Sequence, residues 1–275
     1  MPELPEVETT RRGLLPHLKG QKIRALIVRE KRLRWLVPDF LPERISGKTV
    51  LDIARRGKYL LFDCRDGKES GHLLIHLGMS GSLRILDRPV QPGKHDHVDI
   101  VLENGVHIRL TDPRRFGAML WIDGAVDAHP LLEGLGLEPL SDAFTGDYLF
   151  EVSRGKKVPI KQFLMNSHIV TGIGNIYANE ALYHAGIHPK RAAGRLSLQR
   201  YTRLVQSIRE TLNRAIQAGG SSIRDFVGSN GQTGYFQLDY WVYGREGLPC
   251  RRCSAPIHSL RLGQRSSFYC PRCQR

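Results

Sequence analysis

The first residues of the chain could supply a nucleophilic amine, because the sequence MPELPE places a proline directly after the initiator methionine. Removal of that methionine would leave Pro2 as a secondary amine beside the Glu3 carboxylate. An α-amino group has a reference pKa of about 7.7–8.0, so part of it is unprotonated at neutral pH. Such amines attack sugar or carbonyl carbons to form imines, and a neighbouring carboxylate can transfer the protons. The alternative is that Pro2 and Pro5 only begin a helix, whose positive N-terminal end suits acidic residues.

Four cysteines near the C-terminal end have the spacing of a metal site. They are Cys250, Cys253, Cys270 and Cys273, in the pattern C-x2-C-x16-C-x2-C. Two thiolate pairs at this spacing are typical of a tetrahedral zinc site, and an all-thiolate site leaves no open position for a catalytic water. We therefore expect one structural zinc ion on a zinc ribbon. Two disulfides are the alternative, and they conflict with a cytosolic location.

Three turns between expected strands combine basic, apolar and glycine residues. The sequence reads RRGK at 55–58, HLGMSG at 76–81 and DPRRFG at 112–117. Exposed Met79 and Phe116 side chains are unfavourable in water unless they meet an apolar surface. Apolar side chains insert between base steps in kinked DNA. The turns are therefore candidate DNA wedges, and a buried turn residue is the alternative for each.

Weaker signals lie in three other stretches. In KHDH at 94–97, we expect one of the two imidazoles, His95 or His97, to face the core and the other to face phosphate. In GIGNIY at 172–177, a glycine turn before a helix can offer N–H groups to phosphate. The ribbon tip carries Arg265 among small residues, which suits phosphate contact, and a solubilising charged turn is the alternative.

The charge of the chain points to a polyanionic partner. Its 275 residues include 41 Lys plus Arg against 27 Asp plus Glu, for a formal net charge of +14. Nucleic acid is the simplest such partner, and an anionic membrane surface is the competing one. No run approaches the roughly 18–20 apolar residues of a spanning helix, and the acidic, proline-rich start is unlike a signal peptide. We expect a cytosolic protein, or a nuclear or organellar one if the cell has such compartments.

The predicted secondary structure changes along the chain. Residues 3–19 fit a helix. Eight short β-rich runs follow, which predicts a sandwich or barrel-like domain; they are Ile23–Val28, Thr49–Ile53, Tyr59–Phe62, His72–His76, Ser82–Leu86, Val98–Leu102, Val106–Leu110 and Ala118–Ile122. Cys64, just after the third run, is expected to be an inert core thiol.

Helical periodicity replaces the strand pattern after a Gly/Pro-rich stretch. The helix expected at 198–217 would end at Gly219-Gly220, and 221–235 would be a mobile loop. We expect four segments: a β domain over 1–130, a linker over 131–140, a helical domain over 141–244 and the zinc ribbon over 245–275.

These motifs together resemble formamidopyrimidine-DNA glycosylase, the bacterial enzyme that excises 8-oxoguanine and ring-opened purines. The resemblance covers essentially the whole chain and rests on PELPEVET at 2–9, RRGKYLL at 55–61, HLGMSGSLR at 76–84, KHDHVD at 94–99, TDPRRFG at 111–117, GIGNIYANE at 172–180, HPKR at 188–191, VYGREGLPC at 242–250 and CPRCQ at 270–274. Endonuclease VIII, which prefers oxidised pyrimidines, shares the Pro-Glu start and the zinc ribbon. Endonuclease VIII lacks the RRFG turn that this chain has, so the resemblance favours the enzyme that excises oxidised purines.

The resemblance implies roles for individual residues. Pro2 would attack C1′ of the damaged nucleotide, Glu3 would be the adjacent acid or base, and Glu6 would support that pair. Lys58 would be the proton donor for β-elimination and Arg265 the donor for δ-elimination. The implied DNA contacts are His95, Arg114, Lys156 and Asn175, and the side chains that fill the gap of the flipped base are Met79, Arg114 and Phe116.

The implied fold is α+β with two domains: an N-terminal β-sandwich with flanking helices, and a C-terminal helical domain with a helix-turn-helix-like element and a zinc ribbon. The partner would be damaged double-stranded DNA, lying in a basic cleft between the domains. The 221–235 loop would fold over the extruded base. We expect a monomer with one structural zinc ion, no small-molecule cofactor and no membrane association. A non-catalytic DNA-binding protein is the alternative from another class, and it leaves Pro2, Glu3 and Lys58 unexplained.

Overall fold

A computed structural model describes residues 2–67, 69–226 and 240–275. The chain forms two compact units. The first comprises Met1–Glu133 with Ala218–Phe236, and the second comprises Gly134–Gln217 with Gln237–Arg275. No helix in the described ranges is long and apolar enough to cross a membrane.

Up to Glu133, the described residues of the first unit form two helices and eight strands. Their bounds are α1 Leu4–Leu18, β1 Ile23–Val28, α2 Leu41–Ile45, β2 Thr49–Arg56, β3 Tyr59–Arg65, β4 Ser70–His76, β5 Ser82–Leu86, β6 Asp96–Leu102, β7 His107–Thr111 and β8 Ala118–Ile122. A short 3₁₀ turn at Val126–Ala128 follows. All eight strands that the residue pattern predicts are present, and several extend by a few residues.

The strands form two antiparallel sheets of four, in the orders β1-β6-β7-β5 and β2-β3-β4-β8. Buried Val, Ile and Leu side chains from both sheets join one apolar cluster that also includes Leu14 and Leu18 of α1. Alternating apolar residues supply such a layer, because successive side chains of a strand point to opposite faces. The expectation of a β-sandwich is confirmed, and the barrel-like alternative is wrong.

The second unit is helical and ends in a hairpin. Its elements are α3 Gly146–Ser153, α4 Ile160–Leu164, α5 Asn175–Ala185, α6 Leu198–Phe226, β9 His258–Leu262 and β10 Arg265–Tyr269. The last nine residues of α6 are grouped with the first unit.

The helix α6 runs past the glycine pair that we expected to end it. A Cβ atom at Gly219 would lie 2.5 Å from Oγ1 of Thr9 in α1, so this position requires a residue without a side chain. The glycine therefore serves close packing rather than termination. The loop expected over 221–235 is accordingly wrong for 221–226, which are helical, and the rest of it lies outside the described residues.

Candidate active site and metal centre

The N-terminal helix begins at the candidate nucleophile. Glu3 is the N-cap of α1, and its side chain accepts the backbone N–H of Glu6. Glu6 returns the bond, because its Oε2 accepts the backbone N–H of Glu3 at 2.8 Å. This reciprocal capping box fixes the peptide that carries Pro2. Glu3 is 1% exposed and Pro2 is half-buried, so both groups lie in a partly desolvated place.

A buried ionic cluster joins α1 to the strand that leads to Lys58. The Glu8 carboxylate accepts hydrogen bonds from Arg11 at 2.9 Å and from Arg12 at 2.8 Å, and from Nε of Arg55 at 3.1 Å. Burial by itself would raise the pKa of the Glu8 carboxyl, but the hydrogen bonds from Arg11 and Arg12 and the charges of Arg11 and Arg55 outweigh it and lower the pKa to about 2. Glu8 is therefore ionised throughout the physiological range.

The same cluster fixes the direction of α1 relative to β2. Arg11 donates to the carbonyl of Ile53 at 3.1 Å, whereas Glu8, one turn earlier in the helix, meets Arg55, two residues later in the strand. The two elements therefore run in opposite directions. Arg55 also donates to the carbonyl of Gly57 at 3.1 Å. The N-terminal end of α1 thus lies at the end of β2 that carries the Gly57-Lys58 turn.

Lys58 occupies a two-residue turn, because Arg56 of β2 pairs with Tyr59 of β3. Tyr59 in turn pairs with His76 at the end of β4, and their rings lie 4.8 Å apart between centroids. Burial, and then the charges of Lys58 and Arg34, lower the pKa of His76 to about 4. Nδ1 of His76 accepts the N–H of Gly78 at 3.1 Å, so the proton of the neutral ring is on Nε2. A neutral donor therefore lies close to Lys58.

The register of the two sheets brings the other candidates of the first unit to one end of each sheet. In one sheet, the Lys58 turn, the end of β4 at His76 and the start of β8 at Ala118 are neighbours. In the other sheet, Ser82 and Asp96 both pair with Thr111. The turns that carry Met79, His95 and Arg114 connect these strand ends.

Met79 and Phe116 are 39% and 41% exposed, respectively. The guanidinium carbon of Arg114 lies 4.8 Å from the centroid of the Phe116 ring, within cation–π range. The structure therefore places one basic and one aromatic side chain together on an exposed turn. The alternative of buried turn residues is wrong for Met79 and Phe116.

The two histidines of the KHDH stretch differ in environment. His97 is 4% exposed, and its Nε2 donates to the carbonyl of Asp112 at 2.8 Å. His95 is half-exposed, with its ring centroid 6.4 Å from that of His97. The expected core position of one imidazole is confirmed for His97, and His95 is the more exposed of the two.

The second unit carries the remaining candidates for DNA contact. Asn175 is the first residue of α5, and among the described residues its buried Oδ1 has no hydrogen-bond partner. The Lys156 side chain is exposed, while its backbone is held between the carbonyl of Ser153 and the N–H of Gly194, each at 2.9 Å.

The four cysteines converge on one point. All four Sγ atoms lie within 4.8 Å of one another, with Cys250 and Cys273 at 3.9 Å and Cys253 and Cys270 at 3.4 Å. Sulfurs bound about 2.3 Å from one zinc ion are roughly 3.8 Å apart at the corners of a tetrahedron. The thiolate set therefore fits a single zinc ion.

Arg265 begins β10, the second strand of the ribbon hairpin, and its side chain is exposed. Helices of the same unit anchor the following residues. Nζ of the buried Lys161 donates to the carbonyl of Ser266 and to Oγ of Ser267, both at 2.7 Å. Asn179 of α5 accepts the N–H of Phe268 at 2.8 Å. The position of Arg265 therefore depends on both the metal site and these two polar anchors.

Comparison with known families accounts for nearly the whole chain. Residues 1–119 match the formamidopyrimidine-DNA glycosylase N-terminal domain, residues 135–227 match the H2TH domain of the same enzyme, and residues 247–275 match the zinc finger found in FPG and IleRS. The chain belongs to the formamidopyrimidine-DNA glycosylase family.

Relatives in this family are similar over the full length of the chain. Formamidopyrimidine-DNA glycosylases of Pseudomonas paraeruginosa and Acidithiobacillus ferrooxidans are 54% and 53% identical over 275 residues, with all of each chain covered. The crystal structure of the Thermus thermophilus MutM (FPG) protein has a TM-score of 0.84 at 38% identity, and covers 99% of this chain and 98% of its own. A complex of Lactococcus lactis FPG with FAPY-dG-containing DNA has a TM-score of 0.87 at 35% identity, covering 99% and 100%.

As a member of the formamidopyrimidine-DNA glycosylase family, the chain is a DNA glycosylase of base excision repair, in a family that also has AP lyase activity. The resemblance recognised in the sequence is confirmed, and the non-catalytic alternative is wrong. The expected metal is also confirmed, because the four cysteines are clustered to hold one metal ion in a zinc-finger domain.

Sequence reasoning missed three groups that the structure places at the site. They are the Glu8–Arg55 ion pair, His76 and the buried Lys161. Glu8, Arg55 and His76 lie within the family motifs quoted above, so those motifs could have identified them as candidate site residues. Lys161 lies outside those motifs, and only its contacts reveal it.

Proposed function

We propose that this glycosylase excises oxidised purines, including 8-oxoguanine and formamidopyrimidines, from double-stranded DNA and then cuts the strand. The Pro2 amine attacks C1′ of the damaged nucleotide while the glycosidic bond to the base breaks. The base leaves with a proton, and the opened sugar is held as an imine on Pro2. This pathway requires removal of Met1, since an internal proline nitrogen is an amide.

The contact chain from Glu8 through Arg55 to Gly57 carries this proposal. It holds the start of α1 at the same end as the Lys58 turn, so one amine nucleophile and one ammonium donor share a small region. A nucleophile and a proton donor must be fixed relative to each other for the two steps to follow on one substrate. The Glu8 carboxylate is buried and the Arg55 side chain is 11% exposed, so little solvent competes for their hydrogen bond.

Glu3 and Glu6 prepare the amine. The positive end of α1 disfavours a protonated amine at Pro2, which increases the nucleophilic fraction. The Glu3 carboxylate, held in the capping box by Glu6, is the group that transfers protons between the amine, the sugar oxygen and the leaving base. Glu6 acts through the backbone N–H of Glu3 and is a positioning residue.

The strand is cut by two eliminations. The first removes a C2′ proton and breaks the C3′–O bond, and Lys58 gives a proton to that leaving phosphate. The second removes the C4′ proton and breaks the C5′–O bond, and Arg265 gives a proton to that leaving phosphate. Water then releases the sugar fragment from Pro2. The half-exposed position of Lys58 in its turn and the exposed Arg265 at the start of β10 support these assignments.

The DNA is held by basic and neutral donors in both units. His95, Arg114, Lys156, Asn175 and the Nε2–H of His76 serve phosphates or the unpaired base, and the net charge of +14 provides the long-range attraction. Met79, Arg114 and Phe116 fill the gap that the extruded base leaves. The exposure of Met79 and Phe116 and the stacking of Arg114 on Phe116 support this wedge.

The enzyme acts as a monomer, because every proposed catalytic group lies on one chain. It works in the cytoplasm, where thiolates remain reduced for zinc. The β domain over 1–130 supplies the nucleophile and the wedge, 131–140 is a linker, 141–244 supplies Lys156 and Asn175, and the ribbon over 245–275 supplies Arg265. The ranges matched at 1–119, 135–227 and 247–275 support this division.

The experiment is borohydride trapping on two duplexes, one with 8-oxoguanine opposite cytosine and one with thymine glycol. We expect a covalent protein–DNA product that forms much faster on the 8-oxoguanine duplex. Faster trapping on thymine glycol would show a preference for pyrimidine lesions, and base release without any trapped product would exclude the imine.

A further inference from the structure

One buried carboxylate connects the three turns at the DNA-contacting end of the first unit. Asp112 is fully buried. Its Oδ1 accepts the Ser80 hydroxyl at 2.7 Å, and its Oδ2 accepts the N–H of Gly117 at 2.8 Å. Its backbone N–H donates to the carbonyl of His95 at 3.0 Å, and its carbonyl accepts from His97. The residue thus contacts the turns after β4, before β6 and before β8.

Ser80 completes the connection between the two turns that carry the wedge. Its Oγ donates to Asp112 and at the same time accepts the backbone N–H of Arg114 at 3.1 Å. Met79 is its direct neighbour in the chain. One hydroxyl therefore contacts both the carboxylate and the backbone of the Arg114 turn.

The two turns also pack backbone against backbone. A Cβ atom at Gly78 would lie 2.3 Å from the carbonyl carbon of Phe116, and Gly78 has a φ of +64°. Only glycine permits both the approach and the left-handed conformation. A close approach of this kind transmits any displacement of one turn to the other, because neither backbone has room to yield.

We propose that Ser80 is a positioning residue for base extrusion: held by Asp112, its hydroxyl fixes the Met79 turn against the Arg114–Phe116 turn before DNA binds. This inference rests on the proposed function, in which Met79, Arg114 and Phe116 replace the extruded base. A wedge that is already in place opens the base stack without first paying the entropy of ordering two loops.

The test replaces Ser80 by Ala and compares two substrates. Excision of 8-oxoguanine from a duplex, followed in single turnover, should fall about 10-fold, the effect of losing a hydrogen bond to a charged group. Cleavage of a preformed abasic site should change little, because no base has to be extruded. The fluorescence of 2-aminopurine beside the lesion should show the same slowing of stack opening.

Three further variants separate positioning from folding. Ser80→Thr keeps the hydroxyl and should restore excision. Ser82→Ala removes a nearby half-buried hydroxyl at the start of β5 and should behave as wild type. Ser80→Ala in a Met79→Ala background should add little, since Ser80 acts through the wedge.

The outcomes are distinct. Unchanged excision in Ser80→Ala, an equal loss on both substrates, no rescue by Ser80→Thr, or full additivity with Met79→Ala would each overturn the inference. Met79→Ala could slow excision from the duplex more than cleavage of the abasic site while Ser80→Ala slows both equally. That result would support the wedge and exclude only the role of Ser80. If Met79→Ala affects both substrates equally, the wedge falls and the inference falls with it.

Discussion

The turns of the β-sandwich and the zinc ribbon position the proposed functional residues by different means. Lys58, Met79 and Arg114 are held by strand ends above a large apolar cluster and by buried carboxylates such as Glu8 and Asp112. Within the part of the chain that the structure describes, the apolar cluster around the ribbon has six buried residues, and two of them, Cys250 and Cys270, are metal ligands. Such a small module depends on its metal for folding. Damage to one region should therefore leave the other intact.

The largest effect is expected at the start of the sandwich unit. Pro2→Gly, or a protein that retains Met1, should lose borohydride trapping on an 8-oxoguanine duplex by on the order of 1,000-fold, since the nucleophile is altered or blocked. The DNA affinity, measured with a non-cleavable abasic analogue, should stay close to wild type, because the basic residues are unchanged. Full trapping by a Met1-retaining protein would contradict the assignment of Pro2.

Loss of the metal should produce the complementary result. Cys250→Ser should release the zinc ion and unfold residues 245–275, because binding energy at such a site is folding energy. Zinc content, measured by atomic absorption, should fall, and DNA affinity should decrease on the order of 100-fold as the ribbon arginines lose their positions. Amide exchange in β2, β3 and β4 should be unchanged. Normal activity in zinc-free protein, or exchange in the sandwich as fast as in the ribbon, would contradict the separation of the two regions.

The sequence predicts the parts of both regions that depend on local pattern. Strand alternation locates all eight strands, with β1, β5 and β8 at their observed bounds, and cysteine spacing predicts the metal site. The polar networks are different, because Ser80 meets Asp112 across 32 positions and Glu8 meets Arg55 across 47. No periodicity encodes such pairs, and they exist only once the sheets have fixed the register. The helix end at Gly219 was wrong for the same reason, since its partner, Thr9, is distant in the chain.

The wedge offers a test within the sandwich itself. Replacement of Phe116 or Met79 by Ala removes contacts with bases that are worth about 1–3 kcal/mol, so excision from a duplex should fall roughly 10- to 100-fold. A preformed abasic site should be processed with a much smaller loss. Leu36→Ala removes another exposed apolar side chain, 61% exposed, and is the matched control. Equal losses on both substrates would assign these residues to general binding or folding.

A smaller effect is expected from the Glu8 cluster. Above the ordinary pKa of 4.5, the carboxylate is ionised in both the folded and unfolded chain, and the ion pairs contribute fully. As the pH falls below 4.5, the unfolded chain takes up a proton that the folded chain refuses until about pH 2, so stability decreases across that window.

Glu8→Gln should therefore lower the free energy of unfolding at pH 7 by about 1–2 kcal/mol and flatten its decrease between pH 4.5 and 2. Urea unfolding at a series of pH values measures both quantities. The exposed Glu133→Gln is the control and should match wild type. An unchanged pH slope in Glu8→Gln would mean that other carboxylates carry the acid sensitivity.

The smallest expected effect is the absence of a reaction at Cys64. Burial raises the pKa of this thiol to about 12, and its side chain is fully buried in the sandwich. The thiolate is the reactive species, so alkylation at pH 8 should be negligible while the sandwich is folded. Chelation of zinc should expose the four ribbon cysteines to iodoacetamide and leave Cys64 unlabelled. Denaturation should then allow the fifth cysteine to be labelled.

Mass spectrometry of the labelled peptides distinguishes these states, with Cys64→Ala as the control. Labelling of Cys64 together with the ribbon cysteines would show that metal loss opens the sandwich as well, and that the two regions are not independent.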